Sequence, residues 1–203
     1  MSYLTIGITG GIGAGKSVVS RVLRCNGFKV YDCDTEAKIL MNKNREIKNS
    51  LQSELGEDIY FKDGTLNRKK LASLLFSNGK IRKVVNKIVH TAIRMDILNK
   101  KEGNKQFFFI ESAILATSHL DKECDKIWLI IAPLNERIRR VGKRDSIEER
   151  EILQRIESQK EELSLLDKNK MLTIENDNQP PLLPKILKLT DKLINNQIFT
   201  ILC

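Results

Sequence analysis

Apolar residues in this chain follow two rhythms: short unbroken runs, and longer stretches with apolar positions three and four apart. Tyr3-Leu4-Thr5-Ile6-Gly7-Ile8-Thr9, Gln106-Phe107-Phe108-Phe109-Ile110 and Lys126-Ile127-Trp128-Leu129-Ile130-Ile131 belong to the first kind. Runs of strand length that are apolar on both alternating faces predict strands covered on both sides, as in a parallel sheet. Phe28-Lys29-Val30-Tyr31 and Met171-Leu172-Thr173-Ile174 read as two shorter strands. Helical spacing governs Val18, Val19, Val22 and Leu23, with Gly27 as the carboxyl cap. It returns at Ala37, Leu40 and Met41, behind a cap at Thr35 or Asp34, and again over 47–55. Gly56 and Asp63-Gly64 read as turns. Leu71, Leu74 and Leu75 lie on one face of a short helix, and 81–93 carry a 3.6-residue stripe ended by Gly103. Leu134, Ile138 and Val141 mark a further helix, and Pro180-Pro181 introduce a last one.

Strands alternating with helices predict an α/β domain with a doubly wound parallel sheet of about five strands. The expected layout is a single domain over 1–203. A helical insertion occupies about 35–105, and a charged flap occupies about 142–165. At 203 residues the chain is long enough for a substantial core. Its 41% hydrophobic and 30% charged content are ordinary for a globular protein. No run approaches 18 apolar residues, so no membrane partner is expected. The chain enters its first strand too soon for a signal peptide, and its four cysteines show no zinc or redox spacing. Reduced thiols and a cytoplasmic location are the expectation. The net charge of +9 suits either nucleic acid or polyanionic small molecules. With aromatics at 5% and none interleaved with basic residues, small-molecule polyanions are the better reading, without nucleic acid.

The chemistry is concentrated in Gly10-Gly11-Ile12-Gly13-Ala14-Gly15-Lys16-Ser17, which fits G-x-x-x-x-G-K-[ST] and lies between a predicted strand and a predicted helix. Glycines let successive N–H groups converge on an anion, and the helix amino terminus adds partial positive charge. The motif assigns the β- and γ-phosphates of a nucleoside triphosphate to Lys16, and Mg²⁺ to the Ser17 hydroxyl. Gly11, Gly13, Ala14, Gly15, Lys16, Ser17 and Val18 form the expected triphosphate-binding set.

Ligands of open parallel sheets sit beyond the carboxyl ends of the strands. Two further ends carry acids here: Asp32-Cys33-Asp34, and Glu111. Of Asp32 and Asp34, one is expected to cap the next helix and the other to act. A carboxylate beside the γ-phosphate can take a hydroxyl proton, and another can order a metal shell. Arg137, Arg140 and Arg144 share one helical face, suited to phosphate contacts or else to pairing with Glu148, Glu149 and Glu151. Gln159 sits on a face otherwise held by Ile152, Ile156 and Leu163, where a polar contact would explain it. Asn-Lys pairs at 42, 86, 104 and 169 have no acid three residues on, and Asn99 meets Glu102 only at a helix end. No guanine-reading loop is therefore visible.

Taken together, these residues resemble the dephospho-coenzyme A kinase family over nearly the whole chain. Thr9-Gly10-Gly11-Ile12-Gly13-Ala14-Gly15-Lys16-Ser17 looks like the family's phosphate loop, and Asp32-Cys33-Asp34 its Asp-x-Asp turn. Gly64-Thr65-Leu66-Asn67-Arg68 with Leu71 and Phe76, then His90, match its acceptor region. Arg140-Val141-Gly142-Lys143-Arg144-Asp145, Gln159 and Asn176 match its later motifs. The resemblance implies transfer from MgATP to the ribose 3′-hydroxyl of dephospho-coenzyme A. It implies Asp34 as base alongside Lys16 and Arg144, with Arg140 and Arg144 in a lid over ATP. It further implies acceptor contacts at Asp34, Arg68, His90 and Glu111, a metal held by Ser17 and Asp32, and a monomer or weak oligomer. The sequence departs from the pattern at 111–117, where Glu111-Ser112-Ala113-Ile114-Leu115-Ala116-Thr117 replaces Asp-x-Pro-Leu-Leu-Phe-Glu. Thr91 stands for a usual Pro, Arg137 for a frequent Gln, and Lys170-Met171 for an Ala-Asp pair. Other phosphate-loop kinases are the alternative within enzymes, although the Gly-x-Pro-Gly loop of adenylate-kinase-like chains is absent. A nucleotide-gated nucleic-acid-binding module is the alternative from outside them.

Overall fold

A computed structural model of the chain describes residues 4–101, 107–177 and 181–202. They divide into two compact units, one formed by 1–30 with 105–203 and the other by 31–104.

The first unit is built on β1 (Leu4–Thr9), β3 (Phe107–Glu111), β4 (Lys126–Ile131) and β5 (Met171–Glu175). With β2 (Val30–Asp32), which spans the division, the sheet order is β2-β3-β1-β4-β5. β1 runs parallel to both β3 and β4, with Ile8 opposite Glu111 on one side and Trp128 on the other. β4 in turn runs parallel to β5. This is the expected parallel α/β sheet of five strands. Every residue of β3 from Phe107 to Ile110 is buried, as its unbroken apolar run requires. β5 lies at the sheet edge and buries only Ile174, leaving Leu172 exposed. Gln106, Gly103 and Pro180, which mark element ends in the sequence reading, lie outside the described residues.

Helix α1 (Lys16–Cys25) buries Val19, Ser20 and Leu23. Val19 and Leu23 pack with Ile6, Phe109, Trp128 and, from α9 (Leu182–Leu202), Ile186 and Leu193. α1 ends as Gly27 predicts. Its φ of 82° lies in the left-handed region. The Gly27 N–H reaches the Arg24 carbonyl at 3.1 Å, and the Phe28 N–H reaches that of Leu23 at 3.0 Å. Phe28 then stands edge-on to Phe109 at 5.5 Å. The second predicted strand consequently begins later than the apolar run does, at Val30.

Four helices make up the rest of the second unit: α2 (Cys33–Lys43), α3 (Arg45–Leu55), α4 (Arg68–Ser77) and α5 (Gly79–Lys101). Their core is Ile47, Leu51, Ile59, Tyr60, Leu66, Leu71 and Val85. Residues 60–66 form a tight turn in which Tyr60 bridges Leu66, and Asn67 caps α4 by accepting the Lys70 N–H. This fixes Arg68 as the first residue of α4. The cap of α2 agrees with the expectation that one of Asp32 and Asp34 holds it, and differs from a cap at Thr35 or Asp34. Asp32, not Thr35 or Asp34, takes the Thr35 N–H at 3.1 Å, and the helix begins at Cys33. An extended Asp32 at the strand end has the backbone that an N-cap needs, whereas Asp34 is already helical.

The core of the first unit sets an expectation for stability. Phe109→Ala should lower it by about 3–5 kcal/mol, because the site is fully buried against aromatic rings. Leu172→Ala at the exposed edge should change it by no more than about 0.5–1 kcal/mol. Urea denaturation of both variants measures the difference.

Candidate active site

The turn between β1 and α1 supplies no side-chain cap to the amino terminus of α1. Gly15 is the N-cap residue, with φ 104°, and offers no side chain to the first-turn N–H groups. No acidic residue occurs in that first turn. Partial positive charge therefore faces outward at the helix start, where an anion is stabilised. Ser17 and Val18 are exposed there, and Ala14 is buried beneath the turn.

Carbonyl groups in the same turn would repel an anion, and side chains from elsewhere in the unit engage them. Lys16 Nζ donates to the Gly10 carbonyl at 2.7 Å and to that of Gly11 at 3.4 Å. Helix α6 (Leu134–Asp145) supplies two arginines. Arg137 Nε donates to the Ile12 carbonyl at 2.8 Å, and Arg140 Nη1 to that of Gly13 at 3.3 Å. Asn176, just past β5, donates from Nδ2 to the Ala14 carbonyl at 2.8 Å. Because N–H and C=O point opposite ways across a planar peptide, these bonds turn the N–H groups of Gly13 and Gly15 the other way. Gln159 Oε1 accepts the Ile12 N–H at 2.6 Å, which supplies the polar contact expected of that residue. The close fit of Arg137 requires Gly11, since a β-carbon there would collide with the guanidinium.

The three arginines of the α6 face have separate partners. Arg137 and Arg140 serve the turn, and burial holds the Arg137 pKa below its ordinary value. Arg140 also donates to the Asn176 carbonyl at 3.0 Å, so it joins the turn to the end of β5. Arg144 makes a bidentate pair with Asp145, at 2.7 and 2.8 Å. That pair holds the Asp145 carboxyl below the usual carboxylate range. Arg140 faces Glu136, at 3.6 Å, rather than the acids at 148–151. Gly15, Val18, Arg140, Asn176, Pro181 and Leu182 line a cleft of about 310 Å³, with apolar walls and polar ends, beside the helix start.

Within the first unit the fold thus gathers Gly11, Gly13, Ala14, Gly15, Lys16, Ser17, Val18 and Arg140. Glu111 ends β3 at the same edge of the sheet, opposite Ile8. Asp32, Asp34, Arg68 and His90 belong to the second unit. Asp32 accepts from the Thr35 N–H and, at 3.0 Å, from its hydroxyl, whereas Asp34 is exposed in the first turn of α2. Arg68 is exposed and His90 half-buried. The second unit has its own groove of about 980 Å³ between α3 and α5, lined by Ile47, Ser50, Val84, Ile88 and Met95 among others. It has no glycine-rich turn. Arg137 as a partner of the turn was not legible as more than part of a basic stripe, and the burial of Glu162 was hidden in a charged run.

Among the described residues, no group of three or more His, Cys, Asp and Glu is placed to hold a metal. No helix among them is long and apolar enough to cross a membrane.

A phosphate-accepting turn on the central strand, a parallel sheet in the order 2-3-1-4-5 and arginines reaching over the turn define a phosphate-loop kinase. Comparison with known sequences narrows that class: residues 4–181 match the family described as CoaE, dephospho-CoA kinase, and the chain belongs to it. A dephospho-CoA kinase of Porphyromonas gingivalis is 36% identical over 189 residues, covering 93% of each chain. A crystal structure of a Thermus thermophilus protein, 30% identical, superposes with a TM-score of 0.77 over 94% of this chain and 97% of its own. The dephospho-CoA kinase of Campylobacter jejuni shares the fold at 22% identity, with a TM-score of 0.64 over 95% of this chain and 98% of its own.

The bond from Asn176 is open to test. Asn176→Asp removes the donor and sets a carboxylate beside the Ala14 carbonyl, so ATP affinity should fall about tenfold or more. Isothermal titration reads the affinity, and unchanged binding would mean that the turn does not need this support.

Proposed function

We propose that the chain transfers the γ-phosphoryl group of ATP to the ribose 3′-hydroxyl of dephospho-coenzyme A, giving coenzyme A and ADP. Family membership over 4–181 supports the reaction. The uncapped, acid-free start of α1, behind a turn whose carbonyls are already bonded, is the observation that supports its phosphate site. The triphosphate takes the N–H groups of the turn, and Lys16 exchanges carbonyl partners for phosphate oxygens. The adenine ring enters the cleft between Val18, Arg140 and Pro181. The 3′-oxygen attacks phosphorus as the bond to the ADP oxygen breaks, and the hydroxyl proton passes to Asp34. Arg144 exchanges Asp145 for transferring phosphate, with the 142–165 segment acting as a lid.

Mg²⁺ fits the oxygen donors present. It prefers one or two protein oxygens with phosphate and water completing its shell, and the exposed Ser17 hydroxyl is one such oxygen; on this reading Asp32 is the second. When bound, Mg²⁺ neutralises charge on the β- and γ-phosphates. We assign acceptor binding to the second unit through Asp34, Arg68 and His90, and to Glu111 at the end of β3. The protein works in the cytoplasm on this reading, as a monomer or weak oligomer, without nucleic-acid or membrane partners.

Purified protein with MgATP should form ADP only when dephospho-coenzyme A is supplied, with coenzyme A as the second product. Turnover of AMP or shikimate in its place would overturn the assignment, and chelation of Mg²⁺ should stop the reaction.

Asp34→Asn should reduce single-turnover transfer by about 10²- to 10⁴-fold with ATP affinity unchanged. Collapse in Asp32→Asn, with near-normal transfer by Asp34→Asn, would move the base to Asp32. Arg144→Ala should slow turnover with little effect on the melting temperature, since its side chain is 62% exposed.

A further inference from the structure

Glu162 lies near the end of the segment read as a lid and touches no reacting group in the mechanism above, yet it is only 4% exposed. It lies on α8 (Lys160–Ser164), in the highly charged stretch that also contains α7 (Glu149–Glu157). Its carboxylate accepts three hydrogen bonds from one place on the chain: the Ala116 N–H at 2.6 Å, the Thr117 N–H at 2.9 Å and the Thr117 hydroxyl at 2.7 Å. No cation pairs with it among the described residues. A buried carboxylate is costly unless its oxygens are bonded, and an apolar residue at this position would avoid that cost. What the carboxylate adds is a fixed position for residues 116 and 117.

These residues belong to the loop that leaves β3 after Glu111. Its start is pinned by the Ser112 N–H on the Ile8 carbonyl at 3.0 Å. Its middle is pinned by Leu115, fully buried over Gly7, where a β-carbon would lie 2.6 Å from Leu115 Cδ2. Thr117 occupies the position at which the family pattern ends in Glu. Here the carboxylate arrives instead from 45 residues further along.

The sheet order indicates what the loop faces. The cleft formed by Gly15, Val18, Arg140 and Asn176 involves residues that follow β1, β4 and β5. The β3 side of β1 is the opposite side, so the loop flanks the phosphate-binding turn on the side away from that cleft. Three residues before Glu162, Gln159 holds Ile12 of the phosphate-binding turn. One short stretch of chain therefore grips both the turn and the loop across from it.

We infer that Glu162 is a positioning residue for the acceptor: it fixes the 112–117 loop, which shapes the acceptor side of the site, while Gln159 fixes the phosphate side. The inference rests on the kinase reading and adds to it the means by which the acceptor side is held.

The test is steady-state kinetics of Glu162→Gln, which keeps the size of the side chain, and of Thr117→Val, which removes one donor only. Each substrate is varied in turn. KM for dephospho-coenzyme A should rise about tenfold in Glu162→Gln and about threefold in Thr117→Val, with KM for ATP changed less than about twofold. Unchanged KM for the acceptor, with only a lowered melting temperature, would overturn the inference, as would an equal rise in both KM values. Wild-type protein that forms no coenzyme A would instead sink the kinase reading itself.

Discussion

A backbone turn can hold a triphosphate only if its carbonyls are kept from facing the phosphates. In this protein that constraint is met by distant side chains. The bonds onto Ile12, Gly13 and Ala14 come from residues 125, 127 and 162 positions away in sequence. The glycines make the turn possible, but α6 and the end of β5 decide which way its peptides point. The sheet order puts those elements within reach, since β4 and β5 lie successively on one side of β1. A phosphate loop is thus a property of the whole first unit, and only its covalent part is local.

The electrostatics follow the same division. Lys16, Arg137 and Arg140 converge on the turn, and no acid occupies the first turn of α1. Glu136 is placed where it steadies Arg139 and Arg140 from the side, through pairs at 2.8 and 3.6 Å. Arg144 and Asp145 form a pair of a different kind, on an exposed surface, where a guanidinium can change partners at little cost. The general excess of positive charge is consistent with two polyanionic substrates and needs no nucleic acid to explain it.

The charged stretch before β5 shows how a surface-like sequence can carry buried function. Its composition suggests a solvated segment, and much of it is exposed. Yet Gln159 and Glu162, one short helical turn apart, point inward onto backbone N–H groups. Gln159 leaves a trace, as a polar break in the apolar face of Ile152, Ile156 and Leu163; Glu162, inside a run of acids, leaves none.

The sequence by itself determined the elements and the chemistry at their ends. Unbroken apolar runs give buried strands because both faces are covered, and glycines between strand and helix give an anion turn because only they tolerate its backbone. It also carried the family resemblance, through motifs at the turn, at Asp32–Asp34 and around Arg140–Asp145. The tertiary structure decided what spacing cannot encode. Asp32 takes the cap because its backbone is extended at the strand end, and Thr35 is helical. Arg137, Arg140 and Arg144 look equivalent on a helical wheel but have separate tasks, because only the first two meet the turn. Glu162 is buried among loop N–H groups because the chain folds α8 against the loop after β3. The arginine and Glu162 contacts join residues far apart in sequence, where local propensity and periodicity give no signal; the Asp32 cap is local, but which of the neighbouring residues takes it follows from where β2 ends.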